Sequence, residues 1–186
     1  MFKHTPATKL QFESNSRNGY VYEKYITAKY IKHFGGREAT QSEQNRGIDY
    51  VSSTGVRIEI KHQPRAKEIG TINVEILEVN SKNRSDFING HWLRCDAELL
   101  HWCIKDDDTE EVIIFHKAAL DPYIQRAIAG EIIVGFNITS NGERAKNESR
   151  GHGSSKYDDA VTCRVDIHIL KHIEKEYELR EAGITF

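Results

Sequence analysis

The stretch that most restricts the fold of this chain is "GIDYVSSTGVRIEIKHQ", residues 47 to 63, where two short apolar runs rich in β-branched residues flank the turn-forming "SSTG" at 52 to 55. That pattern predicts two strands joined as a tight hairpin. Alternate side chains of a strand share a face, so Arg57, Glu59, Lys61 and Gln63 point one way and Val56, Ile58, Ile60 and His62 the other. One face is apolar and the other carries a set of polar groups. A carboxylate or ammonium left unpaired in an apolar setting costs several kcal/mol, so Asp49, Glu59 and Lys61 need a reason to be there.

The rest of the chain supplies the frame. With 186 residues it has enough chain for one domain with a sizeable core, and 38% hydrophobic against 29% charged residues is a globular composition. The unit is expected to span residues 19–186, behind a loose arm at 1–18. "GYVYEKYITAKYIKHF", 19 to 34, predicts a helix in which Val21, Tyr22, Tyr25, Ile26 and Ala28 make one apolar stripe, and the glycines at 35 and 36 stop it. Glu23 falls on a second face with Thr27, Tyr30 and Phe34, so both faces are expected to meet protein. Further strands are predicted at "TINVEILEV" (71–79), at the hairpin "DAELLHWCIK" and "EEVIIFH" around an acidic turn, and at "IIVGFNIT" (132–139). A short helix broken early by Pro122 and a closing amphipathic helix, "CRVDIHILKHIEKEYELR", complete the series. Mixed helices and strands without repeats or a linker predict one α/β (α+β) unit.

No run approaches the roughly 18 apolar residues of a membrane span, and the polar start lacks the apolar core of a signal peptide, so the expectation is a cytoplasmic (intracellular) protein without a membrane partner. Cys95, Cys103 and Cys163, scattered and odd in number, read as reduced thiols. The nine histidines show no metal spacing. The net charge of −2 hides segregation: Arg57, Lys61, Arg65 and Lys67 surround the hairpin, and Arg144, Lys146, Arg150 and Lys156 lie in a Gly/Ser-rich stretch. Both groups are candidates to meet a polyanion.

Across the hairpin Asp49 and Glu59 approach each other. Two carboxylates brought together repel unless a cation lies between them, and hard oxygen ligands suit Mg²⁺ or Mn²⁺. Lys61, on the same face as Glu59, then suits either handling of an attacking water or stabilisation of phosphate charge.

Asp49 followed by "EIK" at 59 to 61 resembles the PD-(D/E)xK nuclease superfamily, the restriction-endonuclease-like fold, with "GID" in place of its Pro-Asp. The resemblance implies a mixed central sheet flanked by helices and a Mg²⁺ ion, replaceable by Mn²⁺, held by Asp49, Glu59 and the main-chain carbonyl of Ile60. It also implies Lys61 as the catalytic lysine, Glu23 as a helical glutamate behind the metal, and Gln63 as an auxiliary residue. The expected activity is metal-dependent hydrolysis of DNA phosphodiester bonds by a homodimer, most like the Holliday-junction resolvases and related structure-specific nucleases. The alternatives are a sequence-specific restriction endonuclease and an inactive DNA-binding protein of the same fold.

Overall fold

The computed structural model describes residues 9–79, 87–105, 110–140 and 161–182. In chain order the elements are α1 (Lys9–Phe34), β1 (Arg37–Glu38), α2 (Gln41–Gln44), β2 (Tyr50–Val51), β3 (Arg57–His62), α3 (Ala66–Ile69), β4 (Thr71–Val79) and β5 (Phe87–Asn89). They continue as α4 (His91–Arg94), β6 (Leu99–Lys105), β7 (Glu111–His116), α5 (Lys117–Ile128), β8 (Phe136–Ser140), β9 (Val161–Asp166) and α6 (Ile167–Glu181). Among the described residues these strands make two sheets, one ordered β1-β2-β3-β6-β7 and the other β5-β4-β9-β8. The first is mixed, since β3 and β6 run parallel while its other pairs are antiparallel. The second is antiparallel throughout. The chain is thus of the mixed α/β class expected.

One core joins the sheets. Leu100, Trp102 and Ile104 of β6 and Ile113 and Phe115 of β7 meet Ile72, Val74 and Ile76 of β4, Cys163 and Val165 of β9, and the inner faces of α5 and α6. The register of β3 on β6, with Glu59 beside Leu100 and Lys61 beside Trp102, turns Glu59 and Lys61 to this inner side. Ile60 and His62 lie beside His101 and Cys103 on the opposite face, which α1 covers.

Several expectations change in the folded chain. α1 begins at Lys9, so residues 9–18 are helical rather than a loose arm, and residues 1–8 lie outside the described part. Its buried face draws on both predicted faces, with Ile26 of one and Thr27 of the other buried, whereas Val21, Tyr25 and Ala28 are exposed. α5 runs through Pro122 because its apolar side, Ala119, Leu120, Ile124 and Ala127, is buried and holds the helix across the missing hydrogen bond. The strand expected at 132–139 starts only at Phe136, after Gly135 takes φ of 80°, and Ile132 and Val134 stay in solvent. Cys163–Asp166 is the end of β9 and not helix, its alternate residues Cys163 and Val165 being buried. Among the described residues no helix is long and apolar enough to cross a membrane.

A polar relay anchors α1 to the sheet. The Tyr22 hydroxyl donates to Glu110 Oε1 at 2.6 Å, so toward His101 Nε2, 3.1 Å away, it can only accept. His101 therefore carries its proton on Nε2, and Nδ1 accepts from the Tyr30 hydroxyl. Burial favours this neutral ring and pushes the His101 pKa down to about 4. The unfolded chain takes up that proton near pH 6.5, so between 6.5 and 4 the unfolded state binds more protons and stability falls with falling pH. Over that window the protein is expected to lose up to about 3 kcal/mol more than a His101→Gln variant. Urea unfolding of both across the range measures the difference, and parallel curves would contradict it.

Candidate active site

The pairing of Tyr50 with Ile58 and Val51 with Arg57 sets Asp49 opposite Glu59, just where β2 ends and the edge of β3 opens. Two hydrogen bonds hold Asp49 there: its N–H donates to the Ile58 carbonyl at 2.9 Å, and its Oδ2 accepts from the Ile60 N–H at 2.7 Å. In an extended strand a residue's N–H and carbonyl point to the same edge, so the Ile60 carbonyl also faces the Asp49 side. Gly47 makes the approach possible. Its φ of 68° suits glycine, and a Cβ there would sit 2.9 Å from the His91 ring and 3.2 Å from Cys95 Cβ.

Asp49, Glu59 and Lys61 line a cleft of about 250 Å³ together with Glu23, Tyr20, Lys24, Thr27 and His91. Glu59 is only 2% exposed and fully engaged. Its Oε1 pairs with the Lys61 ammonium and lies 2.8 Å from His91 Nε2, and its Oε2 accepts from the Cys95 thiol at 3.0 Å. Lys61 Nζ is also 3.3 Å from His91 Nε2. On the polar face of β3 Glu59 is therefore packed inward, with Lys61 half-buried beside it.

The electrostatics follow from three carboxylates around one ammonium. Burial raises the Glu23 pKa to about 7, with Asp49 and Glu59 adding to the shift and Lys61 opposing it. Burial also raises Asp49, while the Ile60 N–H and Lys61 work against the rise. For Glu59 burial is overcome by Lys61 and the His91 hydrogen bond, which keep it ionised below the ordinary carboxylate range. Lys61, despite burial, is held above its ordinary value by Glu59, Asp49 and Glu23. The cleft carries a surplus of negative charge.

Among the described residues no three His, Cys, Asp or Glu side chains stand gathered in ligand geometry. The donors still fit a hard divalent cation, which needs one or two carboxylates and completes its shell with water and phosphate oxygens. Asp49 keeps Oδ1 without a hydrogen-bond partner among the described residues, on the edge shared with the Ile60 carbonyl. Glu59 would join it only with both Lys61 and His91 displaced from Oε1.

Other candidate residues fall elsewhere. Gln63 is tied into the second sheet, donating to the Asn73 carbonyl and accepting from the Asn73 N–H, both at 3.0 Å, so it is not beside the cleft carboxylates. Arg57 lies 3.6 Å from Glu98, Arg65 3.3 Å from Glu68, and Lys67 pairs with Glu111; none of the three lines the cleft. Arg144, Lys146, Arg150 and Lys156 lie outside the described residues. Trp92 of α4 is core, with its Nε1 donating to Asp121 at 2.7 Å. Cys95, Cys103 and Cys163 are buried free thiols. Sequence reasoning missed His91 and Cys95, which the four-residue spacing of "HWLRC" places on one side of a helical turn. The α4 backbone delivers them, with the Gly90 N–H bound to the Ile76 carbonyl at 2.7 Å and the His91 N–H 3.3 Å from Glu75 Oε1.

No protein-family model, curated protein or solved structure matches this chain.

Proposed function

We propose that the protein is a Mg²⁺- or Mn²⁺-dependent DNA nuclease of the restriction-endonuclease-like kind, acting inside the cell as a homodimer. The observation that carries this reading is the placement of Asp49 against Glu59 at the open edge of β3, with Lys61 on Glu59 and Glu23 in the same cleft. Asp49, Glu59 and the Ile60 carbonyl would hold the cation, and Glu23 would orient it through water. A bound cation of this kind polarises a phosphate oxygen and lowers the pKa of a water. Lys61, kept an ammonium by its carboxylate neighbours, supplies positive charge where the scissile phosphate gains negative charge. A dimer would set two such clefts against the two strands of a duplex or branched DNA.

One observation favours a second reading. Both Glu59 oxygens are already taken by Lys61, His91 and Cys95, as in a buried charge network that only holds the fold together. Incubation with labelled junction, flap, duplex and single-stranded DNA in Mg²⁺, Mn²⁺ or EDTA separates the two. The nuclease reading expects products with either metal and none with EDTA. Intact DNA throughout would leave the structural network.

A further inference from the structure

Helix α1 keeps more apolar surface than the core uses. Tyr20, Val21, Tyr25 and Phe34 stay exposed at 60%, 58%, 55% and 66%. At 3.6 residues per turn Tyr20, Val21, Lys24, Tyr25, Ile31 and Lys32 share one outward sector, and no acidic residue of 19–34 falls within it. Glu23 falls outside that sector, next to Tyr20 in the cleft.

The exposed rings come with cations. Lys24 Nζ stands over the Tyr20 ring, 5.4 Å from its centroid, and Lys29 Nζ stands 4.8 Å from that of Tyr25. Lys24 also pairs with Glu38, and Lys29 is 3.9 Å from Glu110, while Lys32 makes no ion pair among the described residues. Tyr20 and Lys24 line the cleft that holds Asp49, Glu59 and Lys61. The ring-and-lysine surface therefore starts at the cleft mouth and runs outward along the helix.

Exposed rings beside lysines, two of which sit on exposed carboxylate partners that a phosphate can replace, complement a chain that offers flat bases and negative phosphates together. Paired bases hide their faces in the stack, so the match is to an unpaired strand. We propose that Tyr20 and Tyr25 stack unpaired bases whose phosphates meet Lys24, Lys29 and Lys32, so that the substrate is DNA carrying a single-stranded segment beside the cleaved bond. This rests on the nuclease reading of the cleft. It names the strand that the cleft receives.

The test is the fluorescence of 2-aminopurine placed in the single-stranded tail of a tailed duplex, titrated with protein in Ca²⁺, alongside cleavage of the same DNA in Mn²⁺. Stacking on an aromatic ring is expected to change the fluorescence on binding, and Tyr20→Ala and Tyr25→Ala to weaken tail binding by roughly 5- to 100-fold each, with Tyr20→Phe and Tyr25→Phe close to wild type. Both side chains are exposed, so the alanine variants should fold. Equal affinity in the alanine variants, or an unchanged fluorescence with the wild type, overturns the inference even if the DNA is cut. A wild type that is a dimer and a Tyr25→Ala variant that is a monomer would assign the face to a second copy and overturn it too. Failure of the cleft reading shows separately, as an absence of cleavage in Mn²⁺.

Discussion

Asp49→Asn is expected to abolish DNA cleavage, by about a thousandfold or more, in a protein that remains folded. The asparagine keeps a carbonyl oxygen for the Ile60 N–H, now bound at 2.7 Å, and removes a charge that burial and Glu59 both disfavour. Stability without metal should therefore hold or rise. Asp49→Ala should lose cleavage equally but be less stable than Asp49→Asn by about 1–3 kcal/mol, since it leaves the Ile60 N–H without an acceptor. Glu59→Gln differs in kind. It would strand the Lys61 ammonium beside a neutral partner, at a cost of about 3 kcal/mol. Cleavage rates and urea unfolding of the three variants check the set, and undiminished cutting by Asp49→Asn would remove this residue from the site.

Lys61→Ala is expected to lower turnover by about two to four orders of magnitude while DNA affinity in Ca²⁺ changes little. The ammonium is held over the cleft by Glu59, and losing it takes away positive charge just where the phosphate becomes more negative. Glu23→Gln should do less, about 10- to 100-fold, as expected for a group that orients a ligand without touching the phosphate. Single-turnover rates with saturating enzyme separate turnover from binding. Equal and small effects at both positions would instead fit the buried charge network.

Much of this site was legible in the residues. The apolar runs around "SSTG" define β2 and β3, and the pairing then sets Asp49 against Glu59 with Lys61 on the Glu59 face. The sequence could not show that Glu59 is buried, because the covering groups, His91 and Cys95, arrive with α4 some thirty residues later. Gln63 shares the face of Glu59 by alternation, yet at the strand end it reaches β4 and binds Asn73. For α1 the helical period identifies two stripes without saying which one the sheet takes. The sheet took part of each, Tyr22 and Ile26 from one and Thr27 and Tyr30 from the other, because His62 and His101 offer the two tyrosines a stacking surface and hydrogen bonds, and Val21, Tyr25 and Phe34 were left outside. In β9 the alternation of Cys163 and Val165 continues into the apolar positions of α6, which let a strand end read as the start of a helix.

The most direct measurement is a titration of the protein with Mn²⁺, followed by the loss of the free-ion electron paramagnetic resonance signal, for the wild type and for Asp49→Asn. A cation site built on Asp49, Glu59 and the Ile60 carbonyl predicts saturable Mn²⁺ binding by the wild type, competed by Mg²⁺, and little or none by the variant. Equal Mn²⁺ binding by the two proteins, or none by the wild type with DNA present, would contradict it.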